Sequence, residues 1–212
     1  MVVRLLAVPL AVVALGGFQS SIKPLSPGVR SDVAKYWHSG CPVPLAGLRV
    51  LSVTYWGFDN RSHQGSLVVN AEAAPKLAKV FGKLYAMRFP IHHMLVRQVY
   101  GPPGSQPADG DLTGSFECRN AVASPCSKGT DSGHWSNHAY GLAVDLNPVE
   151  NPYVGCGMTR DKKALSYLDR SNVRKGMVTP AVIAAFASVG WGWGGAWSGS
   201  TKDYMHFSYN GH

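Results

Sequence analysis

The sequence predicts an α+β domain, a small antiparallel sheet flanked by helices, and three observations lead there. Short β-prone runs bounded by Gly, Asn and Asp are mixed with two clear helical patterns. The two kinds of element follow each other without the regular strand–helix rhythm of a doubly wound sheet. The length of 212 residues fits one domain that buries a substantial core, and no internal repeat is visible.

The first residues, 1–20, read as a secretory signal. Arg4 gives a positive start, Leu5 to Leu15 form the apolar run, and Ala14 and Gly16 supply small residues for cleavage. The run is too short to span a bilayer comfortably and Pro9 interrupts it, with an uncleaved N-terminal anchor as the alternative. Residues 21–45, rich in Ser, Pro and Gly, read as an arm or linker, and residues 46–212 as the functional domain.

Leu48 to Trp56 and Ser66 to Val69 read as strands of a hairpin. Asn70 is placed as the cap of a helix carrying Pro75 near its start, with Leu77, Val80, Phe81 and Leu84 on the inward face and Pro90 as the stop. Met94 to Tyr100 reads as another strand, followed by a long Gly-, Pro- and Asp-rich loop from Gly101 to Ser115. Gly141 to Leu146 is a further strand. Thr179-Pro180 opens a second helix with Val182, Ile183 and Phe186 on one face and Gly190 at its end.

Four cysteines, Cys41, Cys118, Cys126 and Cys156, are even in number and agree with export to an oxidising compartment. Pairing Cys118 with Cys126, and Cys41 with Cys156, is preferred because it closes one short loop. The absence of any C-x-x-C pair argues against a cysteine zinc site. The net charge of +8 suits an anionic surface such as a bacterial cell wall, or equally serves solubility, because the basic residues are scattered. No Lys/Arg cluster interleaves with aromatics, which argues against nucleic-acid binding.

Chemistry concentrates in Ser136-Asn137-His138-Ala139-Tyr140-Gly141-Leu142-Ala143-Val144-Asp145, read together with Asp203-Tyr204-Met205-His206. Two histidines and a carboxylate are a frequent ligand set for a catalytic zinc with an open fourth position. Strand alternation sends Leu142, Val144 and Leu146 to a core, and Gly141, Ala143 and Asp145 to the other face, where small residues leave room beside the carboxylate. Asp203 has the chemistry of a general base. On an ideal strand, however, residues three apart face opposite sides, so Asp203 and His206 require an irregular backbone between them. His92 and His93 are adjacent, and neighbouring side chains diverge on a helix or a strand, which argues against their sharing an ion.

The order S-x-H-x-x-G-x-A-x-D and then D-x-x-H resembles the zinc peptidases of bacterial cell-wall metabolism, which include D-Ala-D-Ala carboxypeptidases, dipeptidases and L-alanoyl-D-glutamate endopeptidases. Phe89-Pro90-Ile91, Phe116-Glu117-Cys118-Arg119, Asn147-Pro148 and Trp191-Gly192-Trp193-Gly194-Gly195 extend the resemblance from about Leu48 to Tyr209. It implies a fold like the Hedgehog signalling domain, one Zn2+ held by His138, Asp145 and His206, and Asp203 as the catalytic base. It also implies Arg119 as the substrate and oxyanion arginine, with a surface salt bridge as the alternative. Ser136 is a substrate contact or a cap, and Trp193 a pocket wall or a core residue. The expected substrates are peptidoglycan stem peptides, met by a secreted or wall-associated monomer with no stable membrane span.

Two rival readings have less behind them. Ser20-Ser21-Ile22-Lys23 spells the S-x-x-K of penicillin-binding serine enzymes, but it lies at the signal boundary, and Lys128-Gly129-Thr130 scrambles the accompanying K-T-G. A zinc-stabilised cell-wall binding module without turnover is the non-enzymatic alternative.

Overall fold

The computed structural model describes residues 17–212, so the signal-like run lies outside the described residues. Strand β1 (Ser20–Pro24) pairs antiparallel with β2 (Leu48–Gly57), and helix α1 (Pro27–Ala34) lies between them in the chain. Phe18 packs on the main core, and Val33 of α1 is fully buried. The arm or linker expected over residues 21–45 is therefore an integral edge of the fold. Its Pro and Ser residues open a helix, with Ser26 accepting from the Val29 N–H as its cap.

β2 forms a hairpin with β3 (Ser62–Asn70), in register from Leu48 opposite Asn70 to Trp56 opposite Ser62. Side-chain alternation splits the hairpin into two apolar faces. Leu51, Val53, Tyr55, Leu67 and Val69 face the main core, while Leu48 and Val68 belong to a second cluster with Val33, Val96, Tyr100 and Phe116. Helix α2 (Ala74–Ala86) covers the first face with the Leu77, Val80, Phe81 and Leu84 stripe that its periodicity predicts. Asn70 is not its cap. The Asn70 side chain accepts from the Glu72 N–H in the turn before the helix, which starts four residues later.

Strand β4 (Pro90–Ile91) adds to β2 in parallel at Trp56 and Gly57. The run Met94–Tyr100 is a correction, because it holds helix α3 (Val96–Tyr100) in place of a strand. A short apolar run does not distinguish the two by pattern alone. The Ser66 hydroxyl accepts from the Val96 N–H and starts the helix, which buries Val96 and Tyr100 one turn apart.

After the loop come β5 (Asn120–Val122) and β6 (Asp131–Trp135), which pair with each other, then β7 (Ala143–Asp145) and β8 (Tyr153–Val154). Helix α4 (Pro180–Ala187) follows, capped by Thr179, and then β9 (Gly192–Trp193), β10 (Lys202–Asp203) and β11 (His206–Ser208). A three-stranded sheet runs β7–β11–β9, and β10 pairs separately with β8. Small, mostly antiparallel sheets and a few helices agree with an α+β peptidase-type fold.

The disulfides are Cys41–Cys118 and Cys126–Cys156, which corrects the expected pairing. Cys118 and Cys126 flank β5 and are carried apart by it, so the short loop between them does not close on itself. Cys41–Cys118 ties the N-terminal segment to the residue next to Arg119. Replacing both of its cysteines with serine should lower unfolding stability by about 2–4 kcal/mol, measured by denaturant titration against wild type. Peptide mapping under non-reducing conditions should recover the two pairs named here.

Candidate active site

The site is set by strand register. His206 of β11 stands directly opposite Asp145 of β7, so both side chains leave the same face of the sheet. The neighbours Val144 and Phe207 leave the other face into the main core, where the Phe207 ring stacks on Phe186 with centroids 3.8 Å apart. Leu146 also reaches that core, as the alternation predicts. The strand is shorter than expected, because Gly141 does not belong to it.

His138 comes from a 3-10 turn, Asn137–Tyr140, immediately before β7. The Ser136 hydroxyl accepts from the His138 N–H at 3.2 Å, as a cap does, and Ser136 also lines the cavity that holds His138. Gly141 closes the turn at φ +65°, and a Cβ there would lie 2.6 Å from the Asn70 backbone nitrogen. Only glycine meets both demands.

The predicted irregularity between Asp203 and His206 is present. β10 ends at Asp203, Tyr204 and Met205 form a bend, and β11 begins at His206 with different strand partners. This brings Asp203 to the same cavity as His206. Gly194 makes room for it, since a Cβ at that position would stand 2.6 Å from the Asp203 carbonyl oxygen and 2.9 Å from its Cβ.

His138 Nε2, Asp145 Oδ2, Asp145 Oδ1 and His206 Nδ1 converge. The separations are 3.2 Å for His138 to Asp145, 3.2 Å for His206 to Asp145 and 3.2 Å for His138 to His206. Tetrahedral zinc held by nitrogen and oxygen at about 2.0–2.1 Å needs donors about 3.3 Å apart, so the residues present fit the ion. The far nitrogens are held as well. His138 Nδ1 lies 2.6 Å from the Ser115 carbonyl and His206 Nε2 lies 3.1 Å from the His212 carbonyl. Such outer partners fix each ring so that the inward nitrogen offers its lone pair.

Burial works against the charge on Asp145, yet the two imidazoles beside it hold its carboxyl far below the usual range. Burial pulls His138 down, and the adjacent Asp145 outweighs this and raises it. Asp203 is pushed up to about 7, first by burial and then by the Asp145 charge, against the opposing pull of His206 and Arg119. Its Oδ1 is enclosed and has no hydrogen-bond partner among the described residues.

These four residues line a cavity of about 390 Å³ together with Arg119, Trp135, Tyr153 and Trp197. Arg119 Nε donates to Glu117 Oε2 at 2.6 Å and its Nη1 to the Asn120 carbonyl at 3.1 Å, which aims the guanidinium along the cavity wall. Burial disfavours the charge on Arg119, but Glu117, Asp145 and Asp203 outweigh it and raise its pKa. Trp193 does not line this cavity, which corrects its pocket reading. Its indole N–H donates to the Tyr204 carbonyl at 2.9 Å and its ring packs beside Phe207. Trp197, four residues later, supplies the aromatic wall in its place.

Sequence reasoning did not assign roles to Ser115, Glu117, Tyr153 or Trp197. Glu117 stands two residues before Arg119 in the Phe116-Glu117-Cys118-Arg119 motif, so the carboxylate was visible as a partner. The Ser115 carbonyl carries no side-chain signal at all.

Residues 130–209 match the family model described as D-alanyl-D-alanine carboxypeptidase. No curated protein and no solved structure matches the chain. The matched segment holds His138, Asp145, Asp203 and His206, while Arg119 lies before it. The match supports a metallopeptidase-type enzyme of the zinc D-alanyl-D-alanine peptidase class.

Gly194→Ala tests the close approach to Asp203. The substitution should displace that carboxylate and lower any peptide hydrolysis by the purified protein by at least about tenfold, with its metal content unchanged by elemental analysis.

Proposed function

We propose that this protein is a zinc-dependent peptidase that hydrolyses peptide bonds in peptidoglycan stem peptides, with D-alanyl-D-alanine carboxypeptidase action as the leading form. The observation that carries the reading is the convergence of three ligand atoms at 3.2 Å separations in a cavity that also contains Asp203 and Arg119.

His138, Asp145 and His206 would hold the zinc, which supplies a Lewis acid and eases deprotonation of water at neutral pH. Asp203 takes a proton from the attacking water and returns it to the departing amine nitrogen. A raised carboxylate suits this double role better than a strong acid, because it holds the proton long enough to hand it on. Arg119 keeps its cation at the cavity wall, where it faces the oxyanion of the addition step or the terminal carboxylate of the substrate. Its bond to Glu117 fixes the guanidinium before the substrate arrives, which lowers the cost of orienting it. Trp135, Tyr153 and Trp197 offer apolar surface to short side chains such as those of alanine.

A wall-facing, extracytoplasmic location is part of the same proposal. It is supported by the two disulfides, and no helix among the described residues is long and apolar enough to cross a membrane.

Purified protein incubated with whole peptidoglycan and with a synthetic stem pentapeptide should release free D-alanine, detected by mass spectrometry. New internal termini without free D-alanine would make it an endopeptidase, and no cleavage with zinc bound would leave a binding module. Asp203→Ala should lower kcat by roughly 10²–10⁴-fold while retaining zinc, and full activity in that variant would remove Asp203 from the mechanism.

A further inference from the structure

A second cluster of ligand-type side chains lies on the far side of the segment that backs the catalytic histidine. His92 Nε2 stands 3.9 Å from Asp111 Oδ2, and one donor atom each from His92, Asp111 and Glu150 lies within 4.8 Å of the others. Asp111 is 2% exposed and Glu150 4% exposed. Each of these carboxylates spends one oxygen on the protein. Asp111 Oδ1 accepts from the Val149 N–H at 3.1 Å and Glu150 Oε1 from the Tyr167 hydroxyl at 3.3 Å. The other oxygen of each, Asp111 Oδ2 and Glu150 Oε2, is buried and receives no hydrogen bond from another residue. Burial together with the neighbouring Asp111 pushes Glu150 up to about 8, so that an ion here would take the place of a proton.

Two buried carboxylates facing each other are costly unless a cation or a shared proton joins them. Among the described residues no lysine or arginine forms an ion pair with either carboxylate. Behind the His92 imidazole stands Asp109, whose Oδ2 lies 3.7 Å from His92 Nδ1, within ion-pair but not hydrogen-bond distance, and 3.0 Å from His93 Nε2. A carboxylate behind an imidazole is the arrangement that orients a metal-binding histidine. His92 and His93 do not diverge as expected, because the chain bends after β4 and both rings reach Asp109.

We propose that His92, Asp111 and Glu150 form a second site for a divalent transition-metal ion, of the zinc or manganese type, that fixes the segment behind the catalytic ligands. One imidazole nitrogen with two carboxylate oxygens selects this class over calcium or magnesium, which take all-oxygen sets. The consequence for the active site follows from the chain. Asp111 is four residues before Ser115, Gly114 exchanges backbone hydrogen bonds with Asp145, and the Ser115 carbonyl holds His138 Nδ1. Asn147, next to the β7 ligand strand, receives the His92 N–H on its Oδ1 and donates to the Pro90 carbonyl. An ion at His92, Asp111 and Glu150 would thus anchor both segments that position the catalytic ligands.

The site does not depend on the catalytic reading, and its test keeps the two apart. Metal-stripped full-length protein is titrated with zinc sulfate, and separately with manganese chloride, by calorimetry. The wild type should take up about two zinc ions per chain, His138→Ala with His206→Ala should retain one, and adding Asp111→Asn with Glu150→Gln to that background should remove it. His92→Asn, at a partly exposed position, covers the case in which the double carboxylate variant does not fold. It should weaken the retained ion by about tenfold or more. In the His138→Ala, His206→Ala background, zinc should also raise the melting temperature, and it should not do so once the carboxylates are replaced. If that background binds no ion, or if His92→Asn leaves its affinity unchanged, Asp111 and Glu150 share a proton and the proposal fails. If the wild type itself takes up one ion, and that ion survives loss of His138 and His206 but not loss of the carboxylates, the zinc of the catalytic reading is overturned and this site stands.

Discussion

The antiparallel register of β7 and β11 is the constraint on which the rest of the site depends. Placing His206 opposite Asp145 puts two of the proposed ligands on one face at the spacing of a cross-strand pair, and places Val144 and Phe207 on the other. A slip of either strand by one residue would send its own Asp145 or His206 toward the core and the apolar neighbour, Val144 or Phe207, toward the cavity. The Phe207–Phe186 stack and the burial of Val144 therefore protect the geometry of the candidate site as well as stability. The core holds the register, and the register holds the site.

The remaining residues reach the cavity by departures from regular structure. His138 sits in a turn that needs glycine at position 141. Asp203 sits at the end of β10, before a bend, under a glycine that leaves space for it. Arg119 is fixed between Glu117 and its own following carbonyl, beside a disulfide that anchors Cys118. Regular strands supply two of the proposed ligands. Turns, bends and close backbone approaches supply the groups whose directions differ from the strand normal.

That division explains what the sequence disclosed. The alternation around Val144 and the break between Asp203 and His206 follow from strand periodicity, and the structure carries both. The hairpin and the α2 face were legible for the same reason. Residues 94–100 were not, because an apolar run of that length fits a strand or a helix, and the choice fell to the Ser66 hydroxyl across the sheet. Disulfide pairing depends on which strands meet, a property of the tertiary fold. Trp193 and Trp197 are the same residue type four positions apart, and only the path of the chain after β9 decides which one faces the cavity. The contribution of Ser115 passes through a backbone carbonyl, to which side-chain patterns are blind.

Charge accounting links the two clusters. Among the described residues, the buried side-chain atoms without a partner are Gln98 Oε1, Asp111 Oδ2, Glu150 Oε2 and Asp203 Oδ1. The three carboxylate oxygens all lie at sites where histidine and a further carboxylate converge. A fold that satisfied these groups internally would have turned lysine or arginine toward them, as it turned Arg119 toward Glu117. Arg170 instead donates to the Glu150 backbone carbonyl and to Asn151, and Lys163 to the Ala108 carbonyl. The cations near the second cluster thus brace the chain and do not pair with its carboxylates. Carboxylate oxygens that are enclosed and receive no hydrogen bond are arranged for a proton or a metal ion. The catalytic reading assigns the proton to Asp203, and the geometry around His92 assigns the ion to Asp111 and Glu150.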